Sequence, residues 1–185
     1  MSDPEDMIRA AEHVAEILER QSVGALVIGA AALAAHGYVR FTADLDLGVN
    51  TDLPTLRTVA DILRTEGFDV ELREPDGPDP LGGVVDVSGP FGLVQIVNYG
   101  GRFPAVIDTG LAAADTVVRA GSRLRIVPLS HLVALKLYAG GTKSHADIVE
   151  LLACNPDADL ADIRRLCQHW RLRGLEPLID EATNR

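Results

Sequence analysis

The chain has 185 residues, 17 Lys and Arg against 27 Asp and Glu, a formal net charge of −10 and 47 % hydrophobic residues. At roughly 100–200 residues per domain this is one compact unit or a core with a small appendix, and the apolar content excludes wholesale disorder. The acidic balance argues against a protein that coats nucleic acid by charge alone and leaves only a local basic patch for such a role.

The first residues, Met1–Asp6, are acidic, the reverse of the positively charged start of a secretory signal. No apolar run approaches the ~20 residues of a membrane span. Cys154 and Cys167 form neither a disulfide framework nor a metal set with the histidines, so reduced thiols in a cytoplasmic protein are expected.

In chain order, Ser2-Asp3-Pro4-Glu5 reads as a helix start, and Met7, Ile8, Ala11, Val14, Ala15 and Leu18 follow at helical spacing. Ala25–Ile28 reads as a buried strand, Gly29 as a turn, and Ala30–Ala35 as a helix stopped by Gly37. Leu45–Val49 predicts a second strand. Asp52 and Pro54 open a helix through Leu56, Val59, Ala60 and Leu63. Phe68–Leu72 alternates weakly, and Glu74–Gly83 is a Pro/Gly/Asp-rich loop. Val84–Val87 and Leu93–Val97 flank Ser88–Gly92 as a hairpin, and Thr116–Arg119 and Arg123–Val127 flank Gly121-Ser122 as a second.

From Pro128 the pattern turns helical, over Leu129–Tyr138, Ser144–Ala153, Leu160–Arg171 and Leu175–Ala182. The expected class is α/β (α+β): a small mixed sheet with flanking helices in residues 1–127 and a helical extension in 128–185, the two together able to form one compact unit.

The segment that carries chemistry is Val27–Val49. Residues two apart on a strand share a face, so Asp44 and Asp46 present two carboxylates on one side. Two such charges side by side are unfavourable unless a cation lies between them. Hard divalent ions such as Mg²⁺ take oxygen ligands, commonly one or two carboxylates plus substrate phosphates. Gly29 leads into a helix start, where free N–H groups favour phosphate. The joint pattern describes a site for a metal–nucleoside triphosphate.

The run Gly29-Ala30-Ala31-Ala32-Leu33-Ala34-Ala35-His36-Gly37-Tyr38-Val39-Arg40-Phe41-Thr42-Ala43-Asp44-Leu45-Asp46-Leu47 closely resembles the signature of the nucleotidyltransferase superfamily with the DNA polymerase β-like fold. Its His-Gly-Tyr-x-Arg-Phe-Thr-x-Asp-x-Asp form is most similar to the AbiEii/AbiGii-toxin-type branch. Leu135-Lys136-Leu137-Tyr138-Ala139-Gly140-Gly141-Thr142-Lys143-Ser144 with Asp147-Ile148 resembles that branch's Lys-plus-Asp helical motif. The resemblance spans about Leu26–Leu152.

It implies Mg²⁺-dependent transfer of a nucleoside monophosphate from an NTP to an acceptor hydroxyl on RNA, a protein or a small molecule, and for that branch an antitoxin partner. It places Gly29 and Ala30 at the phosphate loop, Asp44 and Asp46 as catalytic metal ligands, Arg40 and Thr42 at the phosphate side, and Lys136 as a catalytic point charge on phosphate.

Two departures stand out. Ala30 replaces a second small phosphate-loop residue (Gly or Ser). Gln95 stands where the resemblance implies a third carboxylate that binds metal and acts as general base; an amide cannot take a proton. The hairpin register that pairs Ser88 with Leu93 puts Asp86 directly opposite Gln95, on the same face with Cβ atoms about 5 Å apart, where Asp86 is expected to supply the missing carboxylate. The alternative reading is a catalytically degenerate member that binds nucleotide or a partner without turnover.

Plainer roles compete for several residues. Arg40 suits an ion pair with the aspartates as well as a phosphate. Lys136 lies amid leucines as a snorkelling stem would. Lys143 and Asp147 are spaced as an i,i+4 ion pair. His36 is read as packing or capping, His13, His131, His145 and His169 as surface residues, and Trp170 as core or helix interface.

Overall fold

The computed structural model describes residues 4–40 and 42–184. The capping pair Ser2-Asp3 and Phe41 of the motif lie outside them.

The alternating segment Asp44–Val49 forms a strand (β2) at the middle of a six-stranded mixed sheet. Before it come a helix, α1 (Pro4–Arg20), the strand β1 (Ala25–Ile28) and a short helix, α2 (Gly29–Ala35). After it come α3 (Leu53–Thr65), β3 (Asp69–Arg73), β4 (Val84–Gly89) and β5 (Gly92–Asn98). The order continues with α4 (Pro104–Ala113), β6 (Arg125–Ile126), α5 (Leu129–Ala139), α6 (Gly141–Cys154), α7 (Leu160–His169) and α8 (Leu175–Thr183). The strands lie in the order β3-β4-β5-β2-β1-β6. β2 runs parallel to β5 and antiparallel to β1, β4 is antiparallel to both of its neighbours, and β6 is parallel to β1.

Alternation decides which face is which. Leu45 and Leu47 of β2, Val94 and Ile96 of β5, and Val85 and Val87 of β4 are all buried on the side where α1 and α3 pack. α1 reaches the sheet with Val14, Ile17 and Leu18, and α3 with Leu56, Val59 and Leu63. α3 begins as expected, with the Asp52 side chain accepting from Thr55 N at 2.8 Å and Pro54 in the first turn. On the opposite face α4 covers only the far end of β1 and β2. There Gly48 leaves room for Ile107, whose terminal carbon would be 2.9 Å from any Cβ at that position. Towards the other end of this face, Asp46 and Gln95 are bordered by α2 and α5 instead of α4.

The helices after Pro128 join the same buried cluster as the sheet: Leu132, Leu135 and Ile148 belong to it together with Leu26 and Ile28. Two polar ties reinforce the junction. His36 Nε2 donates to Val127 O at 2.8 Å, and Asn155 Nδ2 donates to His36 O at 2.7 Å and to Leu151 O at 2.8 Å. His36 thus caps and packs, as its position after α2 suggests. Among the described residues no helix is long and apolar enough to cross a membrane.

Three expectations need correction. The second hairpin is only partial: Val117 bridges Arg125, Val118 N donates to Leu124 O and Ile126 N donates to Thr116 O, but Arg125–Ile126 pair along β1 instead. The side chains of this segment are drawn to α1, where Arg119 pairs with Glu12 and Glu5, Ser122 Oγ donates to Glu12 Oε1 at 2.6 Å, and Arg123 pairs with Glu19 at 2.8 Å. α4 has no counterpart among the expected elements, although Phe103-Pro104 carries the first-turn proline of a helix start. His131 is not a surface residue. It is 5 % exposed, within 3.1 Å of Thr109 Oγ1 and stacked edge-on against Trp170, and burial holds its imidazole below the usual range. Trp170 itself packs between Phe103 and His131, a helix-interface role.

Asn98, at the end of β5, is 1 % exposed and has all four side-chain hydrogen-bonding positions filled. Its Oδ1 accepts from Thr51 N (3.1 Å) and Gly100 N (2.9 Å), and its Nδ2 donates to Thr51 O and Gly82 O (both 3.0 Å). It therefore ties three loops at one end of the central strands. Asn98→Ala strands buried backbone groups and is expected to destabilise the fold by on the order of 3 kcal/mol in urea unfolding; a loss within about 0.5 kcal/mol would show that these bonds are replaced by water.

Candidate functional site

β1 ends at Ile28, which lies directly across from Asp46 in the antiparallel register. The next residue, Gly29, has φ +64° and starts α2. A Cβ at Gly29 would collide with the Asp46 carboxylate. Both the backbone angle and the space therefore call for glycine, and the turn lies against the carboxylate oxygen. Ala30, the second residue of α2, is buried and does not line the cleft described below. α2 has only seven residues, so the dipole at its start is small.

Asp44 and Asp46 share one face of β2, as their spacing predicts, and Leu45 and Leu47 fill the other. Thr42 Oγ1 donates to the Asp44 carboxylate, so Thr42 steadies an acidic side chain directly. Asp46 receives no hydrogen bond among the described residues. Burial, reinforced by the charge of Asp44, pushes its carboxyl up to about 6, against the pull of Lys136, Arg40 and Lys143. Tyr99 is buried close by, and burial together with the Asp46 charge raises its phenol above the usual range.

The register across β2, β5 and β4 places Asp46, Gln95 and Asp86 in one row, with Glu71 of β3 beyond. Asp86 faces Gln95 as the hairpin register predicts. Gln95 Nε2 donates to Asp86 Oδ1 at 2.6 Å, and Arg73 Nη2 donates to the same carboxylate at 2.9 and 3.1 Å.

The cations arrive from α5 and from the loop before β2. Lys136 Nζ meets Asp147 Oδ2 at 2.6 Å, and Arg40 Nε lies 3.4 Å from Asp147 Oδ1. Asp147 is 3 % exposed and serves both. Two open readings are decided by these pairs. Arg40 pairs with Asp147 and not with Asp44 or Asp46. Asp147 pairs with Lys136 and Arg40 instead of forming the i,i+4 pair with Lys143, because α5 and α6 bring Lys136 inside while Lys143 is exposed. Arg40 Nε is buried, and its contact with Asp147 is an ion pair without hydrogen-bond geometry.

Of these groups, Gly29, Asp46, Arg73, Gln95, Tyr99 and Lys136 line a cleft of about 350 Å³. A larger groove of about 550 Å³, by Asn50, Asn98 and Arg102, lies at the other end of the strands and contains none of them. Among the described residues no three His, Cys, Asp or Glu side chains converge on a point. Two carboxylates on one strand face, one of them accepting no hydrogen bond among the described residues, fit a hard divalent cation that arrives with phosphate oxygens. Sequence reasoning missed Arg73 and Tyr99. Arg73 extends a weakly alternating strand by one residue, and Tyr99 follows directly on β5; neither carries a motif.

No family model and no curated protein matches the sequence. Solved structures do match it in shape. An antigenic nucleotidyltransferase-like protein from Paracoccidioides brasiliensis aligns with TM-score 0.53 and 16 % identity over 96 % of this chain and 92 % of that one. The antibiotic-resistance factor ANT(2'')-Ia aligns in its solution structure with TM-score 0.56 and 14 % identity over 91 % and 93 %. The chain has the nucleotidyltransferase fold. The likeness is one of fold at these identities; the AbiEii/AbiGii-type branch is carried by the sequence motif alone.

The raised carboxyl of Asp46 has a consequence for the chain without metal. A folded-state value of about 6 against 3.8 for the free group means that the ionised form opposes folding, by on the order of 3 kcal/mol once fully ionised. The penalty is absent below about pH 4, grows between pH 4 and 6, and is complete above. In EDTA, Asp46→Asn is therefore expected to raise the melting temperature at pH 7.5 and to lose that advantage at pH 4. An equal effect at both pH values would refute the electrostatic origin.

Proposed function

We propose that this chain is a Mg²⁺-dependent nucleotidyltransferase. The observation that carries the reading is Asp44 and Asp46 on one face of a central strand, with Asp46 pressed against the Gly29 turn and lining a cleft that Lys136 also lines. In the reaction the oxygen of an acceptor hydroxyl bonds to the α-phosphorus of an NTP. The bond from that phosphorus to the bridging oxygen breaks, pyrophosphate leaves with the electron pair, and the hydroxyl proton passes to water. Mg²⁺, when bound, supplies charge neutralisation and in-line alignment of the phosphate oxygens. Asp44 and Asp46 would hold it, with Thr42 orienting Asp44. The Gly29 turn lets the triphosphate approach the backbone, with the neighbouring Ala30 contributing only its N–H. Lys136 and Arg40, both anchored on Asp147, offer positive charge at the phosphate side of the cleft.

The motif from His36 to Asp46 favours the AbiEii/AbiGii-toxin-type branch, and an antitoxin partner belongs to that reading; the free thiols of Cys154 and Cys167 favour a cytoplasmic setting. The acceptor is RNA, a protein or a small molecule. A second reading has its own support. Gln95 cannot take a proton, and Asp86 beside it is engaged by Arg73, as suits a chain that binds nucleotide or a partner without turnover.

Transfer of α-³²P label from each of the four NTPs, with Mg²⁺ and a panel of RNA, protein and hydroxylated small-molecule acceptors, separates the two. Label is expected to enter one acceptor class, and Asp44→Ala and Asp46→Ala are each expected to lower the rate at least about 100-fold, equivalent to ~3 kcal/mol of transition-state stabilisation. Calorimetric binding of an NTP with no incorporation anywhere would favour the second reading. No binding would sink both.

A further inference from the structure

Gln95 lies between Asp46 and Asp86, one strand from each. A side-chain amide has a donor end and an acceptor end of nearly the same shape, and its partners decide which way it points. The Asp86 carboxylate offers acceptor oxygens. The opposite orientation would press the amide oxygen against them, so the NH₂ end turns to β4 and Nε2 donates to Asp86 Oδ1 at 2.6 Å. Arg73 Nη2, bonded to both Asp86 oxygens at 2.9 and 3.1 Å, keeps that carboxylate in place.

The two amide heteroatoms diverge from one planar carbon. With Nε2 fixed on the β4 side, Oε1 is turned towards β2 and the cleft that Gln95 shares with Asp46 and Gly29. No hydrogen bond reaches Oε1 among the described residues, and it is not sealed from solvent. Asp86, by contrast, is two strands from Asp46, about 10 Å at ordinary strand spacing, with its oxygens occupied by Arg73 and Gln95.

We propose that Asp86, held by Arg73, is a positioning residue that fixes Gln95 with Oε1 aimed at the cation position beside Asp46, so that the third oxygen of the site is a neutral amide carbonyl. This rests on the nucleotidyl-transfer reading above. Carbonyl oxygens of Asn and Gln are ordinary ligands of hard divalent cations. Asp86 therefore acts through Gln95 and replaces the missing carboxylate neither as ligand nor as base.

Mn²⁺ binding to the full chain, read by electron paramagnetic resonance with and without a non-hydrolysable ATP analogue, tests this. Gln95→Leu and Asp86→Asn are each expected to weaken Mn²⁺ binding about tenfold, as loss of a ligand or of the partner that orients it commonly does. The double variant should bind no more weakly than Gln95→Leu alone. Glu71→Gln, which removes a charge from the same row on β3, should bind as wild type. Unchanged affinity in Gln95→Leu overturns the proposal. So does a further loss on adding Asp86→Asn to Gln95→Leu, which would mean that Asp86 acts by its own charge. Should a variant fail to fold, the wild-type chain still decides: saturation with Mg²⁺ should shift the side-chain carbonyl ¹³C resonance of Gln95, and an unmoved resonance overturns the proposal. Wild-type chain that binds neither Mn²⁺ nor the analogue would instead bring down the nucleotidyl-transfer reading itself.

Discussion

Asp44 and Asp46 cannot move apart by any small adjustment. Leu45 and Leu47 alternate with them and are buried on the opposite face of β2, so a one-residue slip that freed the carboxylates would drive both leucines into water. β2 is also paired with β5 along its whole length and with β1 from Asp46 onwards, which opposes fraying. The like-charge pair is thus held by the hydrophobic core beneath it. Its cost is visible in the raised carboxyl of Asp46, and the neighbouring features answer that cost: a hydroxyl on Asp44, three cations within electrostatic range of Asp46, and a glycine turn that leaves the carboxylate room.

Two of those cations reach the site from opposite directions along the chain. Lys136 comes from α5, and Arg40 from the loop before β2. Both converge on Asp147 of α6, a buried carboxylate that ties the two side chains together. The pairing fixes the head of Lys136 at the edge of the cleft, where an unpaired lysine would reach for water. The helices after Pro128 therefore do more than extend the sheet. They share its core and set the charge of the site, and the ties through His36 and Asn155 hold α2 and the end of α6 in step with that arrangement.

Most of this arrangement is legible in the sequence because local rules govern it. The period-2 pattern over 44–49, the cap at Asp52 and the helical spacing after 128 each depend on neighbours within a few residues. The Asp86–Gln95 pairing is legible too, since a short hairpin loop determines its own register. The features that escape a sequence reading are decided by contacts far apart in the chain. The segment 116–124 carries a hairpin pattern, but its arginines find carboxylates on α1, more than a hundred residues earlier. Asp147 has Lys143 four residues away, yet its partner is Lys136, because packing of α5 on α6 sets which side chain points inward. His131 gives no sign in sequence of the aromatic contact with Trp170 that buries it. Arg73 matters only because β3 lies beside β4.

The exchange of a carboxylate for Gln95 changes the balance of charge in the row and not only the identity of one ligand. A third carboxylate beside Asp44 and Asp46 would add a second like-charge repulsion to one that already raises Asp46. Gln95 avoids it, and the negative charge of Asp86 is met by Arg73. Under the proposed reading the site therefore faces a cation with two charges and one neutral oxygen. Such a set attracts a bare divalent ion less strongly than three carboxylates do. The phosphate oxygens of the nucleotide then make up a larger share of the coordination, and the positive charges of Lys136 and Arg40 favour the same polyanion. Cation and triphosphate consequently stabilise one another in the cleft, and each binds weakly without the other.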